Sequence, residues 1–177
     1  MNVRLALIMA LLACSPREEL SEAPAEIALL AADALRAASE IKVSGDPDAV
    51  ARRHEQSPRY AQAMAKHFAL MRALHLAGLQ SRIRYPRSSV TVRHDQFCEK
   101  EGVAHLVVTA MVRYDMEAIP PATGGPPPHT ASQEEHVFRF ERLDQRKWVM
   151  TNHHEISLAE MHRKDVVARL RNPCGTR

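Results

Sequence analysis

The residues best equipped for chemistry in this 177-residue chain are its ten histidines and the acids beside them. The densest group is His153, His154 and Glu155, followed shortly by His162. Imidazole nitrogen and carboxylate oxygen are both zinc ligands, so His153 or His154 with Glu155 and His162 has suitable donor types. The spacing matches no diagnostic zinc pattern. Neighbours on a strand point to opposite faces, so His153 and His154 cannot both enter one pocket without a bulge. No metal is therefore assigned to this group. His94-Asp95 with His105 is a second candidate, because an imidazole oriented by a carboxylate exchanges protons near neutral pH. The chain lacks a G-x-S-x-G elbow, a Walker loop, an H-E-x-x-H pair and a dinucleotide fingerprint. No catalytic residue and no cofactor follows from motifs.

The elements that must position these residues are legible from periodicity. Ile27, Leu30, Ala31, Ala34, Leu35, Ala38 and Ile41 recur at helical spacing between Pro24 and Gly45. Ser57-Pro58 opens a second helix with Tyr60, Met64, Phe68, Met71 and His75 on its buried side and Gly78 as its stop. From residue 88 the period falls to two. Val90 and Val92 mark a first strand, followed by a polar turn from Asp95 to Gly102 that contains Cys98. In a second strand, 103–117, Leu106, Val108, Ala110, Val112, Tyr114 and Met116 face the core, with His105, Val107, Thr109, Met111, Arg113 and Asp115 opposite. Strands over 135–143 and 148–155 follow, joined by a short polar turn, so an antiparallel sheet is expected. Ser157-Leu-Ala-Glu160 is a capping box that starts a last helix over 158–170, carrying Leu158, Met161, Val166 and Leu170. The Pro/Gly-rich segment 119–129 is an exposed loop, with a stiff end suited to a partner or to nothing more than a long hairpin. The expected fold is α+β: N-terminal helices on a curved antiparallel sheet of four or more strands, with a C-terminal helix, all in one domain over 25–177.

The first fourteen residues carry an address. Arg4 is a basic start, and Leu5 to Leu12 form an apolar run shorter than the about 20 residues a membrane span needs, which together read as a signal peptide. Leu11-Leu12-Ala13-Cys14 resembles the lipobox of bacterial lipoproteins, with Leu12 the less usual choice at its position. The resemblance implies removal of residues 1–13, acylation of Cys14, a polar tether over 14–24 and an extracytoplasmic protein held on a membrane. Pro16, where Asp signals inner-membrane retention in many diderm bacteria, favours the outer membrane. With Cys14 taken by lipid, Cys98 and Cys174 remain as an even pair; a disulfide between them would stabilise the fold by roughly 4 kcal/mol, and two free thiols are the alternative. Neither cysteine sits in a C-x-x-C metal pair. Lys plus Arg total 24 against 21 Asp plus Glu, a net charge of +3 that gives no reason to expect nucleic acid. Arg82, Arg84 and Arg87 cluster locally, and a solvated face accounts for them.

The run from Val137 to Met150, Val-x-Phe-x-Phe, a polar turn and then Trp-Val-Met, is similar to the ending of nuclear transport factor 2-like and cystatin-like secreted domains. That resemblance implies a curved sheet wrapped on a helix. It also implies a concave pocket, for which His105 and Asp115 are the candidates. The final helix is extra to the pattern. Many exported members of such folds are non-enzymatic. The expected function is a membrane-anchored binding or envelope-assembly module with a protein or envelope partner; the alternative is a small secreted enzyme or ligand carrier with a pocket between sheet and helices.

Overall fold

The computed structural model describes residues 24–48, 50, 58–121, 128–143 and 147–171. The expected signal peptide 1–13, Cys14, the tether up to residue 23, the tip of the proline loop, the turn at 144–146 and Cys174 lie outside the described residues.

Helix α1, Ala25–Ser44, follows Pro24 and buries Ile27, Ala31, Ala34, Leu35, Ala38 and Ile41, the stripe its periodicity predicts. Gly45 ends it in the left-handed region at φ 72°, donating its N–H to Ile41 O at 2.7 Å. The neighbouring helix helps to close this end, because His75 Nδ1 lies 2.9 Å from the Lys42 carbonyl oxygen, one of the last acceptors of α1. A methyl carbon added at Gly45 would lie 2.5 Å from His75 Cδ2 and would also meet the left-handed backbone penalty. Gly45→Ala is expected to cost at least about 1 kcal/mol in urea unfolding. An unchanged midpoint would show that this cap is not held as described.

Helix α2, Pro58–Gln80, buries Tyr60, Met64, His67, Met71 and Gly78. It runs past the expected stop at Gly78, which is buried where the Tyr85 ring crosses it: a Cβ there would be 2.8 Å from Tyr85 Cε2. The chain reverses at Arg82, φ 57°, instead.

Strands β1 (Ile83–Arg84), β2 (Ser88–Lys100), β3 (Val103–Asp115), β4 (Glu117–Ala118), β5 (His129–Leu143) and β6 (Lys147–Glu155) complete the sheets. The main sheet has the order β2-β3-β5-β6, antiparallel throughout, and β1 pairs with β4. The polar turn expected over 95–102 is mostly strand. A register shift between His94 and Gln96 absorbs Asp95, so Phe97 pairs with Leu106 and packs on the core; the turn itself is Glu101-Gly102, both at positive φ. β5 likewise starts earlier than predicted, at His129.

The fold is α+β. Leu106, Val108, Ala110, Val112 and Tyr114 of β3 join Phe138, Phe140, Trp148 and Met150 in a core beneath α1 and α2. The opposite face is not bare. Val107 and Val137 are covered there by Ile156 and Val167, with Met161 and Leu170 beside them. The expected C-terminal helix is in fact two pieces, α3 (Leu158–Met161) and α4 (Lys164–Arg171), opened by the predicted capping box at Ser157 and Glu160. No helix among the described residues is long and apolar enough to cross a membrane.

Candidate functional site

Strand alternation alone places part of an interior polar cluster. Glu134, His136, Phe138 and Phe140 of β5 stand opposite Ala110, Val108, Leu106 and Ala104 of β3, so all four point at the helices. The aromatic pair enters the core, while the polar pair continues the same row toward the open half of the strand.

On β6 a bulge does the rest. Phe140 pairs with Met150 but Arg139 pairs with Asn152, leaving Thr151 as an extra residue. Trp148 and Met150 face the helices before it. After it the phase flips, so His153 opposite Phe138 and Glu155 opposite His136 face the helices as well. His154, opposite Val137, turns to the other face and sets its Nε2 3.0 Å from Glu160 Oε1 of the capping box. His162 is exposed. The sequence group His153, His154, Glu155 and His162 is thereby divided between two faces.

Helix α2 supplies the residue that periodicity hid. His67 sits in the apolar stripe between Met64 and Met71, is 6% exposed, and lies with Nδ1 3.1 Å from Glu155 Oε2. Its ring stands edge-on to His153 at 4.9 Å and to His136 at 5.5 Å. His136 Nδ1 and His153 Nε2 are 3.1 Å apart, with the two rings stacked. Phe138 closes the wall behind His153 at 4.8 Å. His136 is fully buried, and its Nε2 makes no hydrogen bond among the described residues; Glu134 Oε2 is 3.4 Å away but out of alignment. Ser132 Oγ donates to Glu134 Oε1 at 2.6 Å. Donor atoms of His67, His136 and Glu155 lie within 4.8 Å of one another. A cation stands nearby. Lys42 of α1 projects over the Tyr114 ring at 3.8 Å, and its pKa is lowered by burial against the opposing pull of Glu134.

Two members of the cluster are displaced from their ordinary titration range. Burial, then the charges of His67, His136 and His154, push His153 down to about 2, so it stays neutral throughout the physiological range. Burial pushes the Glu134 carboxyl up, but contact with His136 and Ser132 and the charges of His136 and His67 outweigh it and leave it below the usual carboxylate value. Neither group is poised near neutrality, where general acid–base catalysis works best.

The residues favoured by sequence lie elsewhere. His105 and Asp115 are both on the face of β3 turned away from α1 and α2, roughly 30 Å apart along the strand at about 3.3 Å per residue, and they share no pocket. Burial, with the Arg139 charge, lowers the His105 pKa. Asp115 faces Arg87 and Arg113 at 3.8 and 3.9 Å. Asp95 does not orient His94. Its bulge aims it at Thr109, whose hydroxyl donates to Oδ2, and at Arg93, whose Nε donates to Oδ1 at 2.7 Å. These residues, with Gln133 and Glu135, line an open groove of about 300 Å³ on the outer face. Arg84 is paired with Glu117 at 2.8 Å, so the basic cluster at 82–87 is partly neutralised. Cys98 is on the outer side of β2 opposite His105.

No family model and no curated relative matches the chain. Among solved structures it is similar to the intermembrane space region of the chloroplast protein ARC6, at a TM-score of 0.41 and 9% identity over 72% of this chain and 95% of that one. It is also similar to AclR from Streptomyces galilaeus, at a TM-score of 0.29 and 14% identity over 72% of this chain and 77% of that one.

Proposed function

We propose that this protein is a lipid-anchored, extracytoplasmic binding module of the cell envelope that takes a ligand at the His67, Glu134, His136, His153 and Glu155 cluster without chemically changing it. The observation that carries the reading is the convergence of three imidazoles and two carboxylates from one helix and two strands onto the helix-covered face. Isolated polar groups are costly to bury, and such a concentration beside an apolar core is what a specific ligand site requires. The N-terminal lipobox supports the anchor, with Cys14 carrying the lipid. Two or more acyl chains give stable membrane attachment. A Cys98–Cys174 disulfide belongs to the same proposal and fits an oxidising compartment.

Histidine-selective NMR of the detergent-solubilised mature protein, titrated with zinc chloride, magnesium chloride, sodium acetate and sodium phosphate, tests the site. At least one probe is expected to shift His67, His136 and His153 together while leaving the exposed His94 and His129 in place. No response at the interior histidines to any probe would overturn the reading. Mass spectrometry of the membrane fraction should find acylated Cys14 as the first residue, and an intact, unacylated N-terminus would contradict the anchor. Non-reducing peptide mapping of that sample should join Cys98 to Cys174.

A further inference from the structure

We infer that His67, His136 and Glu155 form a binding site for a divalent transition-metal cation of the zinc class, backed by His153 and Glu134. This rests on the cluster being the ligand site and adds the chemical class of the ligand.

Three features point to it. The first is geometry. Tetrahedral zinc holds nitrogen and oxygen ligands about 2.0–2.2 Å away, which places ligand atoms roughly 3.4 Å from one another. His67 Nδ1 and Glu155 Oε2 are already 3.1 Å apart, and the His136 donor lies within 4.8 Å of both residues' donors. The remaining gaps are those to His136, so closure needs its donor to approach the other two by up to about 1.4 Å, with Glu155, 32% of whose side chain is exposed, following.

The second feature is the state of His136. One ring nitrogen is engaged by His153; the other is fully buried, faces Glu134 Oε2 at 3.4 Å, and makes no well-formed hydrogen bond among the described residues. A buried polar atom without a well-formed partner is costly, and native proteins rarely leave one without a reason. A metal-binding histidine has this arrangement: one nitrogen held by a neighbour that fixes ring and tautomer, the other presented to the ion. His153 supplies that hold. Ligation through His67 Nδ1 needs the tautomer with the proton on Nε2, so the N–H that now faces Glu155 gives way to a lone pair for the ion.

The third feature is charge and ligand type. Glu134 and Glu155 together match a double positive charge. Two imidazoles with one carboxylate suit zinc or its transition-metal neighbours, whereas magnesium and calcium demand oxygen ligands almost throughout. Glu155 lies at the partly exposed edge of the group, which gives the ion an entry path.

The test uses the EDTA-treated, detergent-solubilised mature protein titrated with cobalt chloride and then zinc chloride, followed by visible absorption and calorimetry. One equivalent of Co²⁺ should bind with the visible bands of a low-coordinate nitrogen and oxygen site, and Zn²⁺ should displace it while Mg²⁺ does not. His67→Gln and Glu155→Gln should each weaken zinc binding at least about tenfold, and His162→Gln should leave it unchanged. Circular dichroism of the two variants establishes that they are folded. No saturable zinc binding, or zinc binding that survives both substitutions, overturns the proposal. Should acetate or phosphate shift the interior histidines while zinc does not, the metal assignment fails and the ligand site stands; silence to every probe removes both.

Discussion

Between pH 6.5 and pH 4.5 the metal-free protein is expected to lose about 2 kcal/mol of folding stability through His153. In the unfolded chain this imidazole protonates near its ordinary value of 6.5, but in the fold it stays neutral down to about 2. The unfolded state therefore binds the extra proton throughout the interval. The contribution is fully present well above pH 6.5, begins to fall around that value and approaches a loss of about 1.4 kcal/mol per unit as the pH drops further toward the folded value. The groups facing His153 are His67 from α2, His136 from β5, and Phe138 behind it, with His154 adding charge from the same strand. Glu134 adds a loss of the same sign at lower pH, because its folded pKa is also depressed, and His105, lowered by burial, adds one within the interval that a substitution of His153 leaves in place. Urea unfolding at half-unit steps after EDTA treatment measures the slope. His153→Gln, which keeps a hydrogen-bonding group but cannot ionise, should make it shallower, and a wild-type curve that is level from 6.5 to 4.5 would contradict the buried, neutral imidazole.

Phe138→Ala should be the most damaging single core substitution near the site, at about 3–5 kcal/mol. Phe138 is fully buried opposite Leu106, and its ring lies 6.3 Å from Phe140, 6.2 Å from His136 and 4.8 Å from His153. Truncation leaves a cavity and removes the apolar wall that desolvates His153. Two readouts should move together: the urea midpoint falls, and the acid slope below pH 6.5 becomes shallower as the imidazole gains solvent. Phe140→Ala is the control. It is also fully buried and costs a similar amount, but it lies one step further along the strand, so its acid slope should match the wild type. Equal slopes in all three proteins would separate the core from the cluster and refute the coupling.

Much of the framework can be read from the residues alone. The period-two run of β3 places Leu106 to Tyr114 on the core face, and the α1 stripe and the Ser157–Glu160 capping box fall where the pattern puts them. The site is harder to read, for physical reasons. Its members come from α2, β5 and β6, so no local spacing connects them. His67 occupies a position in an otherwise apolar helical stripe; its signal is its place between Met64 and Met71, and it is easily passed over in favour of Phe68 and His75. The phase of His153 and Glu155 depends on the extra residue at Thr151, and a bulge leaves no mark in hydrophobic alternation when both flanks are mixed. The same effect at Asp95 converts an apparent polar turn into strand. His105 and Asp115 are candidates through the concave pocket that the fold resemblance implies, whereas alternation puts them opposite the apolar set, and there they face away from the helices. The C-terminal segment covers part of that outer face, an arrangement that its amphipathic spacing does not specify.

Anomalous diffraction at the zinc edge, from crystals of the mature protein grown with zinc chloride, tests most directly whether the interior cluster is the ligand site. A peak bounded by His67, His136 and Glu155, with His153 and Glu134 behind it, is the expected result. Peaks confined to exposed histidines such as His94, His129 or His162, with the interior side chains packed on one another as described, would contradict it.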